Sequence, residues 1–446
     1  MYIELDKVGK IKNACVNITG LTVIAGPNEC GKSTVGKTLY ALIKSVNESD
    51  KIFMQYLKNR IEMICRNVVF DIQQHLNNKE DSALLRDEYE RKVFEMPMQN
   101  FINSNEYESA LNFVIDKIKS MEKFKTLKID DKERSVKFLT ALRTDIENGI
   151  DKSKRFNKSL NILYMNIFKG QVNNSISRDD SYVSLKMSDN NVISYKIINN
   201  SDMLEFSDRL SVIDFSNEFI DSIFQDATFI ETPLILQASQ DIKELWNLKA
   251  SSTMPHYWID LLEKLTGDIK PPLDYCKEIQ KIISDIVGGD FVYDTDIQRF
   301  IFQKENSKYR IDINNIASGT KCFGVIQMLA KYNLLNPNHL LILDEPENHL
   351  HPVWQVKLAQ IIIGLIKNGI SILLTTHSPY LLNALRDFSK RENIWQTKAR
   401  FYFAQNIDGI YSSIIDASLF KDEGEENIIF ESLYQAYESI DNDANL

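Results

Sequence analysis

The sequence predicts an α/β fold, in which a mixed and largely parallel sheet is flanked by helices and interrupted by a mostly helical insertion. Near the amino terminus, an apolar strand leads into a glycine-containing loop and then a helix. The final third of the chain alternates short apolar segments with helix-length ones, as a parallel sheet requires. Between these parts, residues 51–170 are polar, almost free of Gly and Pro, and carry apolar residues at helical spacing.

Four segments follow from these changes in composition. Residues 1–50 are expected to form the first half of the sheet and its phosphate loop, and residues 226–420 the second half. Residues 51–225 are expected to be a helical arm, with a β-hairpin at residues 182–187 and 192–198. Residues 421–446 read as an acidic tail.

The first fifty residues predict three strands and a helix. Residues 2–6 and 11–16 alternate apolar and polar side chains, which is typical of half-buried strands. Residues 21–25 are apolar with one threonine, as in a strand buried on both faces. The apolar spacing over residues 35–46 predicts the helix that follows.

The segment from Gly26 to Ser33 matches the phosphate-binding loop G-x-x-x-x-G-K-[ST] at each fixed position. Glycines let backbone N–H groups turn towards phosphate oxygens, and the helix N-terminus adds a positive dipole. Lys32 is expected to reach the β- and γ-phosphates of a nucleoside triphosphate, and Ser33 to bind Mg²⁺. The expected nucleotide-binding residues of this segment are Gly26, Pro27, Asn28, Glu29, Cys30, Gly31, Lys32, Ser33 and Thr34.

Paired carboxylates follow a second apolar strand. Residues 340–343 are apolar, and Asp344 and Glu345 come directly after them. Because the carboxyl ends of parallel strands meet at one edge of a sheet, Asp344 is expected beside the phosphate loop, where it can assist Mg²⁺. Glu345 is then placed to polarise the water that attacks the γ-phosphate.

Two further signals belong to the same edge. His377 ends the strand predicted at residues 371–375, where an imidazole can bind a γ-phosphate and respond to its loss. Ser318 and Gly319 precede a helical run, and a helix N-terminus with a hydroxyl can bind an anion. His349 and His351 are interpreted as packing at a helix start rather than as metal ligands.

The composition is that of a globular protein, with 43% hydrophobic and 26% charged residues among 446. The net charge of −10 disfavours a surface coated with basic residues for DNA, although it leaves a local basic groove open. No segment resembles a signal-peptide core or a membrane span, so we expect no membrane partner. Five scattered cysteines without metal-ligand spacing favour a reducing, cytoplasmic location.

In this order, the four motifs resemble those of ABC-type ATPases, specifically the SMC/RecF-like branch of the AAA-family ATPases. The resemblance covers residues 1–43 and 287–405. The block from Asp344 to Pro352 is similar to the D-E-P-E-x-x-L-H-P block of OLD-family and Septu-type antiphage ATPases. The resemblance implies an ABC-type ATPase head with ATP and Mg²⁺ as cofactors.

Residue by residue, the resemblance implies that Lys32 and Ser33 hold the nucleotide and Mg²⁺, and that Asp344 assists the metal. Glu345 would be the catalytic base, and His377 the switch histidine. The glutamine loop of this family has no clear counterpart in the sequence.

Ser318 and Gly319 stand where the family has its signature, although the sequence reads Ala-Ser-Gly-Thr-Lys. In the family, the signature contacts the γ-phosphate of ATP bound to a second subunit, so the resemblance implies a homodimer that closes on two ATP molecules and hydrolyses them slowly. OLD-family nucleases carry a Toprim domain after the switch histidine, and residues 378–446 are too short for one. A separately encoded nuclease or other effector is therefore expected, and DNA binding stays open.

Four functions compete on this basis. The first is the ATPase subunit of a bacterial antiphage defence complex, and the second is a DNA-repair or DNA-clamp ATPase that acts as a scaffold. A transporter subunit is disfavoured by the size of the insertion and by the missing glutamine loop, for which Gln99 and Gln237 are both weak candidates. A small-molecule kinase would explain Lys32 but neither the Ser318–Gly319 signature nor His377.

Overall fold

The structure is a computed structural model. It describes residues 1–57, 152–173, 179–187, 190–198, 209–215, 224–239, 242, 254–267, 273–304, 309–395 and 397–417. Gln99, the acidic tail and most of the predicted arm lie outside these residues. The chain divides into two compact units, one formed by Met1–Asn47 with Leu163–Leu446 and the other by Glu48–Ile162.

The first unit is built on one mixed sheet, which contains eleven strands among the described residues. Its strands are β1 (Tyr2–Val8), β2 (Ile11–Asn17), β3 (Leu21–Ala25), β4 (Ser181–Met187), β5 (Asn190–Ile198), β6 (Arg209–Phe215), β7 (Asp226–Ile230), β11 (His339–Asp344), β12 (Ser371–Thr376), β13 (Ala399–Asn406) and β14 (Ser412–Asp416). They lie in the order β6-β5-β4-β1-β2-β14-β13-β3-β12-β11-β7. A separate antiparallel sheet is formed by β8 (Gly289–Asp294), β9 (Arg299–Lys304) and β10 (Arg310–Asp312).

The parallel half of the large sheet comprises β13, β3, β12, β11 and β7, each in register with its neighbour. Strands β3, β11 and β12 are buried along nearly their whole length, as expected of strands covered on both faces. The other half is antiparallel, except where β14 runs parallel to β2. The predicted α/β class with a mixed sheet flanked by helices is therefore confirmed.

Helices cover both faces of the parallel strands. The helices among the described residues include α1 (Lys32–Asn47), α2 (Lys152–Phe168), α3 (His256–Thr266), α4 (Asp274–Val287), α5 (Ser318–Lys331), α6 (Pro352–Lys367) and α7 (Pro379–Arg391). On one face, α1 approaches so closely that a Cβ atom at Gly36 would lie 2.9 Å from Ile342 Cγ2. On the other face, Leu341 and Leu374 join a core with the buried residues of α3 to α7. None of the described helices has the length and apolarity needed to cross a membrane.

The predicted β-hairpin forms, but it belongs to the large sheet. Strand β4 pairs with β1 from Tyr2 to Asp6, and β5 and β6 continue the sheet beyond it. This differs from the expectation that residues 51–225 form one inserted arm, because a half-buried hairpin extends an open sheet edge more readily than it stands alone. The second compact unit, Glu48–Ile162, is therefore shorter than the predicted arm.

Within the second unit, two polar contacts join residues 49–50 to α2. Ser159 Oγ donates to the carbonyl oxygen of Ser49 at 2.9 Å, and Arg155 Nε lies 3.0 Å from Asp50 Oδ1. Ser159 is fully buried, so this bond satisfies its hydroxyl away from water.

Candidate functional site

The carboxyl ends of β3, β12 and β11 meet at one edge of the sheet, because these three strands are parallel neighbours. Backbone bonds join the segments that leave them. The N–H of Gly26 donates to the carbonyl of Thr376 at 3.2 Å, and the N–H of Glu345 donates to the carbonyl of Thr375 at 3.1 Å. The phosphate loop, the paired carboxylates and His377 are thus brought together as predicted.

Two glycines fix the shape of the phosphate loop. Gly26 has φ of 153°, and a Cβ atom there would lie 2.3 Å from the carbonyl oxygen of Ala404. Gly31 has φ of 76°, and its Cβ atom would lie 2.8 Å from Ile11 Cγ1. Both positions combine a backbone conformation that favours glycine with a neighbour that leaves no room for a side chain.

The remaining loop residues frame this turn. Asn28 and Glu29 are exposed, and Lys10 Nζ lies 3.1 Å from Glu29 Oε2. Cys30 is buried, its carbonyl accepts a bond from Ser412 Oγ at 2.9 Å, and burial raises the pKa of its thiol. Such a thiol is a packing group rather than a reactive thiolate. The N–H of Thr34 donates to the carbonyl of Gly31 at 3.0 Å and closes the first turn of α1.

Lys32 opens α1 and points back into the loop. Its side chain is 3% exposed, and Nζ donates to the carbonyl of Pro27 at 2.7 Å. The same Nζ lies 3.5 Å from Glu345 Oε1. A buried ammonium group is thereby held between the loop and the predicted base, at the position where a phosphate chain needs a cation.

Asp344 and Ser33 form the predicted metal pair. Asp344 is buried and accepts hydrogen bonds from Thr375 Oγ1, at 2.5 Å, and from the Ser33 hydroxyl. Burial raises the pKa of the Asp344 carboxyl, although these two hydroxyls and Lys37 act in the opposite direction. The serine oxygen and the carboxylate therefore meet at one point, and both are hard oxygen ligands of the kind that Mg²⁺ prefers.

Glu345 lies between the lysine and the histidine. Its Oε1 faces Lys32, and its Oε2 lies 3.4 Å from His377 Nδ1. The backbone of Glu345 has φ of 49°, which is unusual for a residue with a side chain and is common at functional sites. Asn348 Nδ2 also approaches Glu345 Oε2, at 3.4 Å.

Sequence reasoning did not assign a role to two acidic residues at this edge. Glu347 is 4% exposed and accepts hydrogen bonds from the residues around His377. Glu231 follows β7 and accepts bonds from the Tyr257 hydroxyl at 2.9 Å and Trp258 Nε1 at 3.2 Å. The sequence signal for Glu347 is its place as the second glutamate of the segment Asp-Glu-Pro-Glu.

The signal for Glu231 was the segment Glu-Thr-Pro after an apolar run, which marks a strand end. Apolar residues recur along the sequence as far as Leu236, but β7 ends at Ile230. Thr232 caps a short 3₁₀ helix, Pro233–Leu236, because proline fixes a turn there. Glu231 and Asp344 line the same cavity of about 110 Å³, and Lys37 Nζ lies 3.1 Å from Glu231 Oε1.

Ser318 and Gly319 lie beside a different segment, residues 349–350. They begin α5, and a Cβ atom at Gly319 would lie 3.0 Å from the carbonyl oxygen of His349. Gln237, the glutamine-loop candidate that the structure describes, accepts a hydrogen bond from Lys321 Nζ at 2.7 Å. Gly319 thus lies against residues 349–350, and Gln237 contacts α5. Lys32 and His377 instead both approach Glu345 and form a separate group with it.

His351 has the structural role that the sequence suggested. It is the N-cap of α6, and its Nδ1 accepts from the N–H of Val353 at 3.3 Å. The adjacent Pro352 occupies the first helical position, where its missing N–H costs nothing. The interpretation of helix-start packing is confirmed for this histidine.

The residues at this edge fit a nucleoside triphosphate with Mg²⁺. Lys32 supplies a buried cation, and Ser33 and Asp344 supply adjacent oxygen ligands. Among the described residues, His377 Nδ1 is buried without a hydrogen-bond partner, and Glu345 Oε2 lies 3.4 Å from it. Bound Mg²⁺ would neutralise phosphate charge, with Ser33 and Asp344 as its protein ligands.

The chain is similar to known ATPases. Residues 2–382 match the family model of the AAA ATPase domain. Over 107 residues, the chain is 29% identical to the retron Ec83 probable ATPase of Escherichia coli. This stretch covers 22% of the chain. The match spans about a fifth of that relative, 19% of its length.

Solved structures of SMC head domains are also similar to this chain. One is the SMC head domain from Thermotoga maritima, with 9% identity, a TM-score of 0.36, and 93% of this chain and 97% of that one covered. Another is the Smc head domain from Pyrococcus furiosus with an extended coiled coil, bound to the C-terminal domain of ScpA. It has 11% identity, a TM-score of 0.40, and 98% of both chains covered.

The matched family segment contains the phosphate loop, the Asp344–Glu345 pair and His377, whose side chains the structure brings together. The prediction of an AAA-family ATPase domain is confirmed. The narrower assignments to the SMC/RecF-like branch and to OLD-family and Septu-type ATPases stay predictions. On the family match and this geometry, the chain belongs to the AAA ATPase domain family.

Proposed function

We propose that this chain is the ATP-binding and ATP-hydrolysing subunit of a bacterial antiphage defence complex. In this complex, ATP-driven closure of a homodimer controls a separately encoded nuclease or other effector. The observation that carries the hydrolytic part is the arrangement of Glu345 between Lys32 and His377. The defence context is supported by the D-E-P-E-x-x-L-H-P block and by the stretch shared with a retron ATPase.

The chemistry follows from the charges at this edge. Lys32 stabilises the phosphate chain, and Glu345 accepts the proton of the water that attacks the γ-phosphorus, so that ADP and phosphate leave. His377 is placed to donate a hydrogen bond to the γ-phosphate from the ring nitrogen remote from Glu345. With ATP bound, Lys32 exchanges Pro27 and Glu345 for phosphate oxygens, which frees the Glu345 carboxylate for the water.

The signature completes the proposal. Ser318 and Gly319 lie at the N-terminus of α5, where backbone N–H groups and a hydroxyl can bind a γ-phosphate. We propose that they act on the ATP of a second copy, so that each active site is shared. Hydrolysis then requires closure and is slow without it.

The ATPase assignment is tested by hydrolysis with purified protein and three variants. Wild-type protein should release phosphate from ATP with Mg²⁺, and Lys32→Ala should lose nucleotide binding. Glu345→Gln should keep ATP binding but lower kcat by about 100-fold or more, because a neutral amide cannot accept the proton. Asn348→Ala is the matched control, since Asn348 approaches Glu345 without a proposed catalytic role. Hydrolysis at the wild-type rate by Glu345→Gln would contradict the assignment of the base.

The defence assignment is tested by affinity purification of tagged Glu345→Gln protein, expressed from its own locus in the presence of ATP. A stoichiometric nuclease in the eluate supports a defence complex. Lys32→Ala, which should not close on ATP, is the control. Recovery of the chain alone would contradict the defence complex.

A DNA-repair or DNA-clamp ATPase is the second candidate. It is favoured by the phosphate loop, in which Asn28, Glu29 and Cys30 resemble the loops of SMC-like repair ATPases. ATP-dependent binding of DNA ends by the purified protein would place this function first. A protein that does not bind DNA in either nucleotide state would exclude it.

A further inference from the structure

Glu347 is a buried carboxylate that the hydrolytic scheme leaves without a role. Its side chain is 3% exposed and lies in the turn after β11, two residues beyond Glu345. His377 Nδ1 lies 3.6 Å from Glu347 Oε1. Burial raises the pKa of this carboxyl, so its position costs free energy that its contacts must offset.

The contacts of Glu347 are concentrated on three consecutive residues. Its Oε1 accepts hydrogen bonds from Thr376 Oγ1 at 2.6 Å, from the N–H of His377 at 3.0 Å and from the N–H of Ser378 at 3.3 Å. A single carboxylate oxygen thus fixes the backbone on both sides of the switch histidine. Bonds to an ionised acceptor are stronger than bonds to a neutral one.

The same turn is also bonded to β12 through Glu345. The N–H of Glu345 donates to the carbonyl and to the hydroxyl of Thr375, each at 3.1 Å. The turn that carries the base is therefore connected to the strand end that carries the histidine at two points. His377 is 38% exposed and its Nδ1 makes no hydrogen bond within the described residues, so its placement depends on its backbone.

We propose that Glu347 is a positioning residue, which holds His377 against Glu345 by fixing the backbone of residues 376–378. Glu347 does not touch the reacting atoms; it acts through His377. The effect of Glu347 on the rate of hydrolysis rests on the proposed ATPase function. Its effect on the position of the His377 imidazole does not.

The direct test is NMR of protein labelled with ¹⁵N at its six histidines. The ring signals of His377 are identified by their loss in His377→Ala. Glu347→Gln should shift these signals, since the amide removes the negative charge beside Nδ1 and weakens three hydrogen bonds. The control is Gln327→Ala. Gln327 is 2% exposed, and its side chain makes hydrogen bonds with Phe291 and Asp290, which lie outside the candidate site. It should leave the His377 signals in place.

The kinetic test compares Glu347→Ala, His377→Ala and the double variant. Glu347→Ala should lower kcat by about 10-fold or more and change the Kd for ATP by less than about 3-fold, because the nucleotide is held by the phosphate loop. The double variant should be no slower than His377→Ala, since Glu347 acts through that ring.

Unmoved His377 signals in Glu347→Gln would overturn the proposal, and so would losses of kcat that multiply in the double variant. If the wild-type protein hydrolyses no ATP, the proposed function fails. The NMR comparison then still decides the role of Glu347.

Discussion

Glu345 and Gly26 show how far single backbone conformations define this site. Glu345 adopts a positive φ of 49° at the point where β11 ends, which turns its carboxylate towards Lys32 and His377. Gly26 has φ of 153° where β3 ends, against the carbonyl of Ala404. In both cases, an uncommon conformation occurs where a buried strand meets the nucleotide edge. Packing of the surrounding strands maintains these conformations.

Gly26→Ala should lower the free energy of unfolding by about 3 kcal/mol, because its Cβ atom would lie 2.3 Å from the carbonyl oxygen of Ala404. The measurement is equilibrium unfolding in urea. Gly409→Ala is the matched control, since Gly409 has φ of 79° and open space around it, and should cost only about 1 kcal/mol. Equal losses of unfolding free energy in the two variants would show that the structure moves to relieve the contact with Ala404.

His339 should make stability depend on pH. Burial, followed by Lys264, lowers its pKa from 6.5 to about 3, while the unfolded chain keeps the ordinary value. Between these pH values the unfolded state binds a proton that the folded state does not, so stability falls as the pH falls. The slope is at most about 1.4 kcal/mol per pH unit.

His339→Asn should remove this slope between pH 6.5 and about 4.5, above the range where carboxylates titrate. Urea unfolding at several pH values measures it in both proteins. The comparison isolates His339 because Asp226, Asp260, Lys44 and Lys264 are common to both. Parallel stability curves would contradict the lowered pKa.

At the scale of elements, an ion network joins α1, α3 and β7. Lys44 lies 2.7 Å from both Asp226 Oδ1 and Asp260 Oδ1, and Lys264 lies 2.8 Å from Asp226 and 2.9 Å from Asp260. Although burial alone would raise the pKa of Asp226, the two lysines lower it. Since α1 begins with Lys32 and carries Lys44 in its last turn, one helix connects the nucleotide edge to this network.

Asp260→Ala should cost about 3–5 kcal/mol of unfolding free energy, because it removes a buried carboxylate that pairs with both Lys44 and Lys264. Thermal and urea unfolding measure the loss. Asp274→Ala is the control; its carboxylate is 98% exposed beside Lys277, and its removal should cause no measurable change. A small loss in Asp260→Ala would mean that water replaces the carboxylate.

For the whole molecule, the proposed sharing of each active site between two copies predicts an ATP-dependent dimer. Glu345→Gln protein should be dimeric with ATP and monomeric without it, as measured by light scattering after gel filtration. Adding Ser318→Arg should prevent the dimer, since a long cationic side chain at the start of α5 blocks the approach of a second nucleotide site.

Tyr309→Ala is the control for the dimer, because Tyr309 is 72% exposed and lies directly before β10 of the separate three-stranded sheet. It should leave the ATP-dependent dimer intact. A dimer that forms equally well with Ser318→Arg would contradict action of the signature in trans.

The sequence by itself determined the site residues that act through local geometry. The order of strand, glycine loop and helix identified Gly26 to Thr34, and an apolar strand ending in Asp344 and Glu345 identified the second element. Because parallel strands place their carboxyl ends at one edge, residues more than 300 positions apart could be predicted to meet.

Only the tertiary structure decided which additional groups reach that edge. Glu231 arrives because β7 pairs with β11 and ends at Ile230, and Glu347 becomes a partner of His377 through the turn after β11. The hairpin β4–β5 joins the sheet by pairing with β1, although more than 170 residues separate them. These strand pairings depend on which edge of the sheet is open and which face of each strand is buried. The hydrophobic periodicity within one segment carries no information about either.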